Sequence, residues 1–122
     1  MITVFGNKGG SGVTTLATNI AISLRTITRR EVVLVDLDVP SGDAAFLLGL
    51  SPTRSLSDVM SAARMDSASV QSALIKHESG LYVLSQPEQL DRVDGLTGHQ
   101  VGSVLDILSG MFDFVVVDAP HV

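Results

Sequence analysis

Apolar residues come in short unbroken bursts along this chain, and glycine, proline or aspartate closes most of them. The first burst, Ile2–Phe5, is rich in β-formers and meets the glycine cluster Gly6-Asn7-Lys8-Gly9-Gly10-Ser11-Gly12. The spacing then changes. Leu16, Ile20, Leu24 and Ile27 recur at helical intervals, which predicts a helix over residues 13–28. Arg29 and Arg30 near its end suit the negative pole of a helix C-terminus. Residues 31–37 form a Val/Leu run of buried-strand type, closed by Asp38, Pro40 and Gly42. Two short helices are expected over 43–48 and 55–63, the second with Ser55 as N-cap and Asp58 in its first turn. A third is expected over 67–77, then a strand at 81–84 and a polar loop at 85–95. Val101, Val104, Leu105 and Leu108 give one more amphipathic helix. A last apolar strand at 114–117 runs into Asp118-Ala119-Pro120.

The predicted order is β-α-β-α-α-α-β-α-β, with strands that are continuously apolar rather than alternating. Such strands are buried on both faces, so the pattern reads as an α/β fold: a mostly parallel, doubly wound sheet with helices on both sides. Neither an internal repeat nor a low-complexity segment interrupts it. Residues 1–122 are expected to form one unit, the front half of a larger domain, because the sequence stops after a strand with no covering helix. That last strand is expected to lie centrally beside the first, and an open apolar edge there would recruit another chain.

Composition narrows the classes. The 122 residues are 45% hydrophobic and 17% charged, a balance that builds one packed core and does not suit disorder. A net charge of −5 argues against a nucleic-acid surface within these residues. The absence of cysteine removes disulfides, Cys-based zinc sites and thiol nucleophiles. No apolar stretch approaches the ~18 residues that cross a bilayer, and no basic region precedes the first apolar run. A soluble cytoplasmic protein is the expectation.

Candidate chemistry gathers at the strand ends. A strand, a glycine turn and a helix together hold phosphate, because glycines let several N–H groups point inward and the helix N-terminus adds positive potential. The segment Lys8, Gly9, Gly10, Ser11, Gly12, Val13, Thr14, Thr15 has that form, with the Thr14 hydroxyl where a phosphate loop places a Mg²⁺ ligand. It departs from the strict pattern twice: Asn7 stands at the first glycine position and Val13 at the usual lysine. A turn whose glycines serve packing alone is the competing reading. Two further features weigh against it. Asp36 and Asp38 end the second strand on one side of it, and Asp118 ends the last strand. Ligands in open α/β sheets bind beyond the carboxyl ends of strands, where Thr14, Asp36, Asp38 and Asp118 would meet.

Lys8-Gly9-Gly10-x-Gly12-x-Thr14-Thr15, Asp36-x-Asp38 and the strand from Phe112-Asp113-Phe114 to Asp118 resemble the deviant Walker A P-loop ATPases, which include ParA and MinD. The likeness covers about the first half of such a domain. Within that group the chain is most similar to the CpaE/TadZ proteins, which help assemble and place type IVb (Flp/Tad) pili. Val13 in the lysine position, Asp36-Leu37-Asp38 with Gly42-Asp43, and Ser55-Leu56-Ser57-Asp58 carry that likeness. So do Gly80-Leu81-Tyr82-Val83-Leu84 before Pro87, and Asp118-Ala119-Pro120-His121. The resemblance implies ATP or ADP with Mg²⁺ as cofactors. Lys8 would reach a dimer partner's nucleotide, the loop from Gly9 to Thr15 would wrap the phosphates, and Thr14 would bind Mg²⁺. Asp38 would position the attacking water, Asp36 would join the Mg²⁺ shell, and Asp118 would be the Walker B aspartate. Partners so implied are a second copy, bound in a nucleotide-dependent homodimer, and pilus-assembly proteins that recruit it to the inner membrane or cell pole.

Val13 removes a positive charge beside the β- and γ-phosphates, and charge neutralisation is most of what phosphoryl-transfer catalysts supply. Weak nucleotide binding and weaker hydrolysis follow. Three readings stay open: a nucleotide-gated localisation switch in pilus assembly, a working ATPase of DNA partition or division-site placement, and a structural domain that binds no nucleotide. His77, His99 and His121 lack metal-ligand spacing and read as surface or loop residues; Arg25, Arg29 and Arg30 read as a solvated face, and the Met residues as core filler.

Overall fold

A computed structural model describes residues 2–5, 11–36, 48–49, 66–85 and 98–119, with side chains for all of these except 4–5, 11–15, 98–100 and 119. Within them run β1 (Ile2–Phe5), α1 (Ser11–Thr28), β2 (Val32–Asp36), α2 (Ser67–Ala73), β3 (Ile75–Lys76), β4 (Tyr82–Leu84), α3 (Gly98–Met111) and β5 (Phe114–Ala119). The five strands form one sheet in the order β1-β5-β2-β4-β3, parallel except for the antiparallel edge pair β3–β4.

Each face of the sheet buries its own row of side chains. Val33, Val35, Val115 and Val117 pack against Val70 and Ala73 of α2 and Val104 and Leu108 of α3. Val32, Leu34, Val83 and Val116 pack against Ala17 and Ala21 of α1. All five residues of β2 are buried, as a strand covered on both sides requires. Full burial of a side chain such as Leu34 or Leu108 contributes roughly 1.5–3 kcal/mol. α1 and α3 cover opposite faces, so the sheet is wound on both sides, and ligands in such sheets bind beyond the carboxyl ends of the strands.

Two expectations change. The helix expected over 67–77 ends at Ala73. Its C-cap Leu74 has extended geometry (φ −75°, ψ 146°), and Ile75 and Lys76 turn back to pair with Val83 and Tyr82. Strand pairing there overrides helix propensity, and Gly80, at φ 94°, closes the turn. α2 begins at Ser67 as expected, and Asp66 caps it, accepting from Ser69 N at 3.0 Å while Ser69 Oγ accepts from Asp66 N at 3.0 Å. The last strand does lie beside β1, but it sits between β1 and β2, so the open edge on that side belongs to β1, which pairs among the described residues with β5 alone. The helix expected at 43–48 meets the described residues only at Leu48, which forms a turn with Gly49; the helix at 55–63 lies outside them, and so does the loop at 85–95 apart from Ser85.

Candidate functional site

Four polar side chains are buried among the described residues: Thr18 at 5% exposure, Asp36 at 0%, Ser85 at 5% and Asp118 at 0%. All four fall in one layer. Strand alternation sets Asp36 on the face of Val32 and Leu34, Asp118 on the face of Val116, and Ser85 on the face of Val83. That is the face α1 covers. Thr18 belongs to α1 itself, beside Ala17 on the stripe that meets the sheet.

Register brings the two carboxylates together. Asp36 stands directly opposite Asp118, whose other neighbour is Val4 of β1. Val35 stands opposite Leu84, so the next position along β4 brings Ser85 level with Asp36. The row Asp118, Asp36, Ser85 thus marks the carboxyl edge of β5, β2 and β4, on adjacent strands about 4.8 Å apart. β1 ends at the same edge, since Phe5 is opposite Ala119, and α1 begins six residues later. Position 14 is on the stripe of Ala17, Thr18 and Ala21, one turn nearer the helix start.

Two buried carboxylates on neighbouring strands repel, and taking them out of water is costly unless a positive charge or donors compensate. Oxygen donors of this kind suit a hard divalent cation such as Mg²⁺ or Ca²⁺. Among the described residues no group of three or more His, Cys, Asp or Glu gathers. Two carboxylates are an open half-shell rather than a cage, the arrangement Mg²⁺ accepts when waters and phosphate oxygens complete its octahedron.

Of the residues singled out from sequence, the structure brings Asp36 and Asp118 into register at this edge and puts Ser11, Gly12, Val13, Thr14 and Thr15 in the first two turns of α1. Lys8, Gly9, Gly10 and Asp38 lie outside the described residues. Ser85 and Thr18 were not singled out. Ser85 has no motif to announce it, and only the pairing of β4 with β2 levels it with Asp36. Thr18 was legible as the position one turn past Thr14.

Among the described residues the opposite edge carries no such chemistry. Arg25 near the end of α1 donates to the carbonyls of Arg29 (3.1 Å), Arg30 (3.0 Å) and Ser79 (3.4 Å), and pairs with Glu31 at 3.5 Å. It ties the helix to the β3–β4 turn rather than offering a basic patch. Arg29 ends the helix in the left-handed conformation at φ 58°. His77 lies in that turn, where its Nδ1 accepts from Ser79 N at 3.1 Å. No described helix is long and apolar enough to cross a membrane.

Comparison with known proteins agrees with this geometry. The profile of the AAA domain family matches residues 1–122. The septum site-determining protein MinD of Synechocystis is 28% identical over 123 residues, which span 98% of this chain and 44% of that protein. A ParA family ATPase from Chlorobium tepidum superposes with a TM-score of 0.86 over 99% of this chain and 51% of its own, and at 21% identity this shows the shared fold. The cobyrinic acid a,c-diamide synthase of Mycobacterium smegmatis, solved with ADP and magnesium, superposes with a TM-score of 0.73 at 29% identity, over 99% of this chain and 51% of that one. The chain spans about half the length of the relatives it matches.

Proposed function

Because the chain belongs to the AAA domain family, in its ParA/MinD-type P-loop group, we propose that it binds ATP with Mg²⁺ at the loop entering α1. The register of Asp36 against Asp118 at the carboxyl edge beside that loop is the observation that carries this reading. The 29% identical synthase, which holds ADP and magnesium, supports it.

In this reading residues 1–122 act as one unit. Gly9, Gly10, Ser11, Gly12, Val13, Thr14 and Thr15 wrap the phosphates with backbone N–H groups at the positive end of α1. Thr14, Asp36, Asp38 and Asp118 supply oxygens to the metal, which neutralises phosphate charge when bound. Asp38 orients the attacking water, and Lys8 provides the cation that position 13 lacks, across a dimer of two copies. Hydrolysis is therefore slow. The protein works as a nucleotide-dependent dimerisation and localisation switch in Flp/Tad (type IVb) pilus assembly. Val13, the segment from Gly80 to Leu84 and the Asp118-Ala119-Pro120-His121 string support that branch. The MinD relative favours a second reading, an active ATPase of division-site placement.

Calorimetric titration of the full-length protein with Mg·ATP and Mg·ADP tests the site. Absence of binding at millimolar nucleotide by a folded protein would sink it. Deleting the gene separates the branches: loss of surface pili with normal septum placement supports the first reading, and misplaced septa with normal pili the second.

A further inference from the structure

Thr18 differs from the other three buried polar residues. It sits on a helix rather than at a strand end, and its Oγ1, buried from solvent, has no hydrogen-bond partner among the described residues. A helical threonine usually returns its hydroxyl to the carbonyl four residues back, as Thr28 does to Leu24. Thr18 does not make that bond to Thr14. A valine would fill the same volume in this layer without leaving a polar atom unmatched. A threonine that breaks a local rule in a packed interior points to use elsewhere.

Its placement says where. Ala17 and Ala21 bring α1 close to β2 and β5, on the face that ends in Asp36 and Asp118. Position 18 lies about 6 Å further along the helix than position 14, one turn from the helix start on the same stripe. A carboxylate can accept about four hydrogen bonds, so Asp36 and Asp118 suit a water as one partner among those they have. A buried water needs two to four polar partners, and the buried polar residues of this layer are Thr18, Asp36, Ser85 and Asp118. Resting on the nucleotide reading above, we propose that Thr18 is a positioning residue for the metal: its hydroxyl holds an ordered water that orients the Asp36 and Asp118 carboxylates.

The test compares Thr18→Val and Thr18→Ser with wild type in the full-length protein, by ADP titration calorimetry with Mg²⁺ and in EDTA, and by thermal unfolding. Thr18→Val is expected to unfold at or above the wild-type temperature, to bind Mg·ADP about tenfold more weakly, and to bind ADP in EDTA like wild type. Thr18→Ser, which keeps the hydroxyl, is expected to match wild type in all three. Unchanged Mg·ADP affinity in Thr18→Val overturns the proposal. An equal loss with and without Mg²⁺ does so too, as does a Thr18→Val protein that fails to fold, which would make the hydroxyl structural. Wild type that binds no Mg·ADP overturns the nucleotide reading itself, and this proposal with it.

Discussion

Asp36 and Asp118 face each other across β2 and β5, both at 0% exposure, at the edge where β1 delivers the chain to the start of α1. Two like charges buried on adjacent strands are a local cost that function explains better than stability does. Asp118→Asn keeps the shape and removes one charge. In EDTA this variant should be more stable than wild type by about 1–3 kcal/mol. It should also lose the rise in unfolding temperature that Mg·ADP gives wild type. Thermal unfolding followed by circular dichroism, with and without Mg·ADP, checks both halves. A destabilised Asp118→Asn in EDTA would mean that its carboxylate holds the edge together.

Position 13 lies in the first turn of α1, where an ammonium could reach the β- and γ-phosphates. Val13→Lys is expected to tighten ATP binding at least tenfold, in line with roughly 1.5–3 kcal/mol for hydrogen bonds to charged groups. Calorimetric dissociation constants decide it. An unchanged constant would show that the loop does not cradle phosphate.

Catalysis is expected to be slow and to rest on two residues. Lys8→Ala should abolish ATP turnover by removing the compensating charge, and Asp38→Ala by releasing the water. Phosphate release by purified protein measures this. Turnover surviving both changes assigns the chemistry elsewhere.

Gly80 and Arg25 predict a stability effect far from the site. A Cβ on Gly80 would stand 2.7 Å from Arg25 Nη2 and 2.9 Å from its Cζ, and Gly80 has φ 94°. Gly80→Ala should therefore lower stability by about 2 kcal/mol, through left-handed strain and displacement of the guanidinium. In an Arg25→Met background the same change should cost less, since only the strain remains. Urea unfolding of the four proteins gives the coupling directly. Equal losses in both backgrounds would show that Arg25 yields without consequence.

Much of this protein was legible in its residues because the deciding forces act locally. Helical spacing of Leu16, Ile20, Leu24 and Ile27 located α1, and unbroken apolar runs located β2 and β5 as strands buried on both faces. Aspartates at the ends of those apolar runs marked the carboxyl edge of the sheet as the candidate site. Pairing between distant segments decided the rest. Residues 75–76 leave the helix for an edge strand because Tyr82 and Val83 offer a ladder there, a partner no local window contains. Insertion of β5 between β1 and β2 sets Asp118 against Asp36 and makes β1 the edge. The layer shared by Thr18, Asp36, Ser85 and Asp118 arises only when α1 closes over the sheet, because burial of a hydroxyl is a property of what covers it.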